Sequence, residues 1–161
     1  CGTANGVTAF FALKEIENNI QKQNFSMHLY DSWGSMQEKD LLETEMNHIG
    51  NYSELDINRT KKNLKEFEDK IIYHIGYIPE SLDNEKAPKT IVYMHIDLNS
   101  AMPTLASLEF FFPRLVRGGV ILFDDYGQEE YKDTKKITDK FFSDKPGMLL
   151  KLPTSQAIYF R

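Results

Sequence analysis

The sequence predicts one α/β domain of 161 residues, with a mainly parallel sheet that closes in an antiparallel hairpin. Three observations predict this fold class. Short apolar segments alternate with segments of helical spacing, two of the apolar segments run directly into aspartates, and a Pro-Thr-Ser turn separates the last two. Such alternation is typical of parallel sheets, because each parallel connection needs a crossover segment, usually a helix.

The first half of the chain is predicted to hold a helix, two strands and a helical cover. Val7, Phe10 and Leu13 recur at the spacing of one helix face, and Ile20 widens the apolar stripe. They predict a helix over residues 6–22 that packs on the sheet. We then expect, in chain order, a strand over residues 26–31, helices over residues 40–49 and 57–67 that cover the sheet or form a lid, a strand over residues 70–75 and a short helix within residues 76–82.

The second half carries two predicted strands that end at acidic residues. Residues 91–96 form an apolar segment that runs into Asp97. A helix should begin after Ser100, which can cap it, and end at Gly118 and Gly119, since glycine readily adopts the conformation of helix ends. The apolar stripe of this helix is Leu105, Leu108, Phe112 and Leu115. The remaining predicted elements are a strand over residues 120–123 that runs into Asp124 and Asp125, a helix over residues 128–142, and an antiparallel pair over residues 148–152 and 156–160.

Charge and composition limit the classes of partner. The net charge is −5 and the isoelectric point is near 5.4, whereas nucleic-acid binding needs a concentrated basic face. Cys1 is the single cysteine, so no internal disulfide can form, and no apolar run approaches the ~18 residues of a membrane span. We therefore expect a cytoplasmic protein that binds neither nucleic acid nor membrane. The phenylalanines at residues 110–112 fit core packing plus a subunit contact, which leaves a homo-oligomer open.

Four aspartates follow predicted strands. In open α/β sheets the ligand lies beyond the carboxyl ends of the strands, so Asp31, Asp97, Asp124 and Asp125 stand on the functional edge. Neighbouring parallel strands lie ~4.8 Å apart, and Asp97 converges with the other two acids if their strands are adjacent. Three carboxylates in one small volume repel each other, so they must take up protons or hold a hard divalent cation such as Mg²⁺. The alternative is that Asp97 caps the following helix and Asp124 and Asp125 lie in a polar loop.

A glycine-containing loop precedes the first predicted helix. Residues 2–6 read Gly-Thr-Ala-Asn-Gly, and glycines there allow backbone amides to approach a ligand near a helix N-terminus. A plain turn before the helix is the alternative, and the residues alone leave both interpretations open.

Five short motifs follow one another in the order of a known enzyme family. Residues 1–9 read CGTANGVTA and residues 30–33 read YDSW. Residues 95–97 read HID, residues 123–127 read FDDYG, and residues 152–157 read LPTSQA. On these motifs the chain resembles the macrocin O-methyltransferase family, the TylF, MycF and NovP group of sugar methylases. These are class I methyltransferases that use S-adenosylmethionine (SAM), and the resemblance implies a Rossmann-like, doubly wound domain over residues 1–161.

The resemblance also implies roles for the motif residues. The glycine loop would hold the amino-acid part of SAM, Asp31 would accept hydrogen bonds from the ribose hydroxyls, and Tyr77 would lie near the adenine. The cofactor-binding residues implied in this way are Gly2, Thr3, Gly6, Asp31, Ser32 and Tyr77. Asp97, Asp124 and Asp125 would ligate Mg²⁺, and the metal would bind a hydroxyl of a small acceptor, a sugar or related metabolite.

The catalytic base is the main departure from the family pattern. The sugar methylases commonly show Asp-x-Asp where this chain has Asp97, Leu98 and Asn99, and the second Asp is the usual candidate for the base. Asn99 cannot take a proton, so either the metal alone activates the hydroxyl, or His95 or another group substitutes, or the chemistry differs. His95 alternates with Asp97 along the predicted strand and can share its face, although a buried histidine bonded to backbone fits the pattern equally.

The position of the glycine loop raises a question about the sheet. In Rossmann-like methyltransferases the first strand lies in mid-sheet, just before this loop, and it is missing here. The strands predicted over residues 26–31 and 91–96 would flank a gap, and each buried unpaired backbone group would cost ~1 to 3 kcal/mol. We expect a strand-forming segment ahead of Cys1, or another chain, to fill the gap. Direct pairing of the two flanking strands would contradict this expectation.

Two other functions fit parts of the sequence. A degenerate domain that binds SAM, a nucleotide or a sugar without catalysis would explain Asn99. A nicotinamide-binding domain fits less well, because Gly2 and Gly6 lack the Gly-x-Gly-x-x-Gly spacing of such domains.

Overall fold

A computed structural model describes residues 1–19 and 25–161 of the chain. The helices and strands alternate as the sequence predicts. In chain order they are α1 (Val7–Asn19), β1 (Met27–Asp31), α2 (Ile57–Asn63), β2 (Ile71–Ile75), β3 (Ile91–Ile96), α3 (Ala101–Phe111), β4 (Leu115–Phe123), α4 (Lys132–Phe142), β5 (Met148–Lys151) and β6 (Ala157–Phe160). The Ile20 and Lys22 end of the first predicted helix lies outside the described residues.

The strands form two sheets that together give an α/β fold. β1 pairs with β2 in parallel, and the second sheet has the order β3-β4-β6-β5. Within it, β3 and β4 are parallel, whereas β6 is antiparallel to both of its neighbours. The predicted closing hairpin is therefore confirmed, and β4 carries parallel pairing on one edge and antiparallel pairing on the other.

β1 and β3 belong to different sheets and do not pair with each other. Their facing edges line a cavity of about 410 Å³. At one end of it, the Gly2 N–H donates to the carbonyl of Tyr30 (2.9 Å) and the Asp97 N–H donates to the carbonyl of Cys1 (3.0 Å). The direct pairing that would contradict the expected extra strand is thus not seen in the described part of the chain. A strand in this cavity stays a prediction.

The apolar core consists of two clusters, and the larger one includes Tyr30 of β1 besides residues of the four-stranded sheet. Leu108 on α3 and Ile121 and Phe123 on β4 are almost fully buried in the larger cluster, under the four-stranded sheet. Leu13 of α1 and Leu64, just after α2, are fully buried in the cluster on the two-stranded sheet. Within residues 1–19 and 25–161, no helix is both long and apolar enough to cross a membrane.

Several predicted helices are shorter than expected. Residues 40–49 hold the 3₁₀ helix Glu43–His48 in place of one longer helix, and residues 76–82 form turns only. The helix predicted over residues 57–67 divides into α2 and the 3₁₀ helix Lys65–Lys70. Starting a helix is costly and tertiary packing provides most helical stability, so such short polar segments stay as single turns. Residues 128–142 begin likewise with the 3₁₀ helix Glu129–Tyr131, and α4 follows.

The helix that follows Ser100 ends earlier than predicted. α3 stops at Phe111, a 3₁₀ turn contains Pro113, which has no N–H to donate, and β4 already begins at Leu115. Leu115 fits the apolar spacing of the predicted helix, but it is buried because it begins strand β4. Gly118, with a φ of +79°, lies inside β4, where the pairing with β3 shifts its register. The glycines therefore accommodate an irregularity in the strand and do not end the helix.

Replacing Leu108 by alanine should destabilise the fold. The side chain is fully buried on α3, and Leu→Ala changes at such sites cost about 2 to 5 kcal/mol of unfolding free energy. Met102→Ala on the same helix, where the side chain is 48% exposed, should cost far less. Urea unfolding of both variants measures the difference, and equal losses would contradict this description of the core.

Candidate functional site

The three aspartates predicted to meet do lie together. Asp97 directly follows β3, and Asp124 and Asp125 directly follow β4. The two strands are parallel neighbours with Ile96 opposite Phe123, so both chains leave the sheet at the same height. One carboxylate oxygen from each aspartate lies within 4.8 Å of those of the other two. The register of one strand pair therefore creates the cluster, which we call the acid cluster.

Two acids of the cluster, Asp97 and Asp125, resist ionisation. Burial, followed by the charge of Asp124, raises the pKa of Asp97 to about 6. Burial, followed by the charge of Asp97, raises the pKa of Asp125 to about 7. Carboxylates in this state bind either protons or a cation, and oxygen ligands are the donors that hard divalent ions prefer. The donor set, its spacing and the raised pKa values of Asp97 and Asp125 all fit a divalent metal ion.

Neighbouring amides orient two of the acids. The Asn99 N–H and side-chain amide donate to Oδ2 and Oδ1 of Asp125, at 2.9 and 3.0 Å. The side-chain amide of Gln156, which precedes β6, donates to Oδ1 of Asp124 at 2.6 Å. Each carboxylate oxygen can accept more than one bond, so both acids keep lone pairs for a cation. Asn99, predicted among the catalytic residues, therefore serves here as a donor to Asp125.

His95 stands beside the cluster as a neutral ring. Its Nε2 lies 4.0 Å from Oδ1 of Asp124, and it is buried without a hydrogen-bond partner in the described structure. Burial lowers the pKa of His95 to about 4. An imidazole with this pKa is a weak base at neutral pH, and its catalytic role stays a prediction.

Asp31 anchors the glycine loop. Its Oδ2 accepts the N–H groups of Thr3 (2.7 Å) and Ala4 (2.8 Å), and its Oδ1 accepts the N–H of Trp33 (2.7 Å). Gly2 has a φ of +74°, and a side chain there would begin 1.7 Å from the carbonyl oxygen of Asp97. Only glycine fits this close approach, which brings the loop against the end of β3 and the acid cluster.

A pocket of about 160 Å³ opens between the glycine loop, the acid cluster and the covering segment, by which we mean residues 36–55. Four of the six predicted cofactor residues line it, namely Gly2, Asp31, Ser32 and Tyr77, together with Asp97 and Asn99. Thr3 and Gly6 do not line it, and Thr3 lines the larger cavity between β1 and β3 instead. Thr3 contributes its backbone bond to Asp31, and Gly6 packs where a side chain would meet Leu64 at 2.9 Å.

Comparison with known proteins decides the family. The sequence profile of a family described as "Methyltransferase domain" matches residues 1–126, well over half of the chain. The chain belongs to the methyltransferase-domain family. It is accordingly a SAM-dependent methyltransferase, and the pocket beside the glycine loop lies where its cofactor residues were predicted. No curated protein sequence is significantly similar to this methyltransferase.

Solved structures agree on the fold of the methyltransferase. The O-methyltransferase NovP superposes with a TM-score of 0.80 at 14% identity, covering 98% of this chain and 68% of NovP. CalS11, a calicheamicin methyltransferase, gives a TM-score of 0.79 at 17% identity, covering 99% of this chain and 69% of CalS11. At these identities the likeness shows the Rossmann-like fold, which confirms the predicted fold class.

The methyltransferase site also contains residues that the sequence did not single out. Tyr52 of the covering segment lines the pocket with a φ of +66°, and Tyr131 is buried nearby. Burial, then the neighbouring Tyr131, raises the pKa of Tyr52 above its usual range, so its hydroxyl stays protonated and can donate. Trp33, which the sequence analysis named only within the YDSW motif, is buried, and its Nε1 donates to Thr60 at 2.9 Å. No spacing rule marks these residues, because each contact joins separate segments.

The Asp125 carboxyl should make the methyltransferase less stable as the pH rises, when no cation is present. Its folded pKa of about 7 exceeds its ordinary value of 3.8, so the folded state binds the proton more tightly than the unfolded state does. The stabilisation is complete below that ordinary value and is lost as the pH rises through about 7. In EDTA, the melting temperature of wild type should fall more steeply between about pH 5 and 8 than that of Asp125→Asn.

A control substitution and a second measurement in the presence of Mg²⁺ complete this test. Asp69→Asn, at an exposed position, should keep the wild-type slope. Mg²⁺ should reduce the fall in wild type and in Asp69→Asn, but much less in Asp125→Asn. Parallel slopes for wild type and Asp125→Asn would contradict the description of the acid cluster.

Proposed function

We propose that the protein transfers the methyl group of SAM to a hydroxyl of a small molecule, a sugar or related metabolite, with a divalent cation such as Mg²⁺ held by the acid cluster. The observation that carries the proposal is the position of Asp97. It lines the pocket beside the glycine loop and, with Asp124 and Asp125, offers carboxylate oxygens within 4.8 Å of one another. A methyl donor and a cation-held acceptor would therefore be neighbours.

The choice of an oxygen acceptor rests on the acid cluster. A cation held by Asp97, Asp124 and Asp125 would lower the pKa of an acceptor hydroxyl and orient its oxygen. Among the similar folds, NovP is described as an O-methyltransferase and CalS11 as a TDP-rhamnose 3′-O-methyltransferase. These descriptions favour a sugar hydroxyl here, and they are consistent with a small pocket that several segments enclose.

The chain's own residues would position SAM and the acceptor relative to each other. The methyl carbon of SAM is already electrophilic, so the protein has to align it with the acceptor oxygen and exclude water. Gly2 and Asp31 fix one end of the pocket through the loop bonds described above. The covering segment closes the opposite wall with Met36, Leu41 and Tyr52. Asn99 holds Asp125 in place and therefore acts on the cluster without taking a proton itself.

A second candidate function is cofactor binding without catalysis. The observation that favours it is Asn99, which stands where the resembling sugar methylases carry their usual base and is already bonded to Asp125. In this case the protein would bind SAM or a related nucleotide and release it unchanged. Binding and turnover must therefore be measured separately.

The proposal predicts that acid-cluster variants lose turnover and keep cofactor binding. Calorimetry with S-adenosylhomocysteine should show binding to wild type, and mass spectrometry with SAM, Mg²⁺ and a panel of nucleotide sugars should detect a methylated product. Asp125→Asn should lower kcat/KM by about 100-fold or more, as expected when a transition-state electrostatic contact is lost. Its affinity for S-adenosylhomocysteine should change little, because Asp125 does not line the pocket.

The exposed Asp69→Asn variant serves as the matched control and should retain full turnover. Binding of S-adenosylhomocysteine without any methylated product would favour the non-catalytic candidate. Turnover that is unaffected by EDTA and by Asp125→Asn would overturn the role given to the cation.

A further inference from the structure

Glu45 is a buried acid outside the acid cluster. It belongs to the 3₁₀ helix Glu43–His48 of the covering segment, and only 2% of its surface is exposed. Its Oε2 accepts the N–H of Leu42 at 3.1 Å, within the same segment. A fully buried carboxylate is costly unless several donors satisfy it, so its remaining partners are informative.

Those partners lie at the start of α3. Oε1 of Glu45 accepts the N–H of Ala101 at 2.9 Å, and Oε2 accepts the hydroxyl of Ser100 at 3.0 Å. The Ser100 hydroxyl also lies 2.9 Å from the carbonyl oxygen of Asp40, in the covering segment. Glu45 therefore takes the place that Ser100 was predicted to fill, since the Ser100 side chain makes no capping bond to α3. A negative charge at this end of a helix is favourable.

This contact joins two parts of the site. On one side, Met36, Gln37, Asp40, Leu41 and Tyr52 of the covering segment line the pocket. On the other side, Ser100 directly follows Asn99, which holds Asp125 of the acid cluster. The Glu45 bridge, meaning Glu45 with Ser100 and Ala101, is thus a hydrogen-bonded connection between the wall of the pocket and the loop behind the acids.

We propose that Glu45 is a positioning residue that holds the covering segment in place over the SAM pocket. The inference rests on the proposed function, because the pocket must bind SAM. When the bridge is broken, the covering segment separates from α3 and the pocket loses one wall. Cofactor affinity then falls even though the sheet and its apolar clusters remain intact.

Glu45→Gln tests the bridge with an isosteric side chain. The amide keeps one acceptor oxygen but turns the other into a donor that faces the Ser100 hydroxyl or the Ala101 N–H. Loss of hydrogen bonds to a charged group predicts a fall in S-adenosylhomocysteine affinity of about 10- to 100-fold, measured by calorimetry. Glu43→Gln, at an exposed position of the same 3₁₀ helix, should bind as wild type does.

Limited trypsin digestion supplies a readout that does not need the cofactor. Lys39 is an exposed residue of the covering segment, and cleavage after it releases a fragment that begins at Asp40. In the ligand-free protein, mass spectrometry should show this fragment forming several times faster in Glu45→Gln than in Glu43→Gln. S-adenosylhomocysteine should slow the cleavage in wild type.

Ser100→Ala keeps the test valid if Glu45→Gln does not fold. It removes one donor from the bridge, so it should weaken binding and speed cleavage in the same direction but less than Glu45→Gln. Cleavage after Lys39 and binding that match Glu43→Gln in both bridge variants would overturn the inference. Failure of wild type to bind S-adenosylhomocysteine would overturn the proposed function instead, and the cleavage rates of the ligand-free proteins would still decide the role of Glu45.

Discussion

The mutual repulsion of three neighbouring carboxylates, one buried and two half-buried, is the constraint on which the rest of the site depends. Parallel pairing of β3 with β4 places Asp97, Asp124 and Asp125 at one height of the sheet, although their negative charges repel one another. Hydrogen bonds from neighbouring amides offset part of this repulsion, because Asn99 donates to Asp125 and Gln156 donates to Asp124. Such an arrangement costs free energy unless protons or a cation offset the repulsion.

Much of this site could be predicted from the sequence, for a definite reason. An acid that directly follows an apolar strand is placed by topology alone, so Asp31, Asp97 and Asp124 could be assigned to one edge without coordinates. Contacts between distant segments could not be predicted. Glu45 meets Ala101 across 56 residues and Gln156 meets Asp124 across 32, and neither pair follows a spacing rule. The early end of α3 was missed because burial of Leu115 on a strand continues the apolar spacing of the helix.

Asp31 makes hydrogen bonds beyond those predicted for it. It was expected to accept hydrogen bonds from a ribose, and it does line the pocket. Its oxygens, however, already accept three backbone N–H groups, from Thr3, Ala4 and Trp33. The carboxylate thus fixes the shape of the glycine loop from the end of the neighbouring strand. The geometry of the glycine loop and one edge of the pocket are consequently determined by the same side chain.

The matched family profile ends at residue 126, yet the chain beyond it reaches the acids. Gln156, between the last two strands, holds Asp124, and Tyr131 lies beside Tyr52 at the edge of the pocket. The three acids lie inside the matched region, whereas Gln156, which orients one of them, lies outside it.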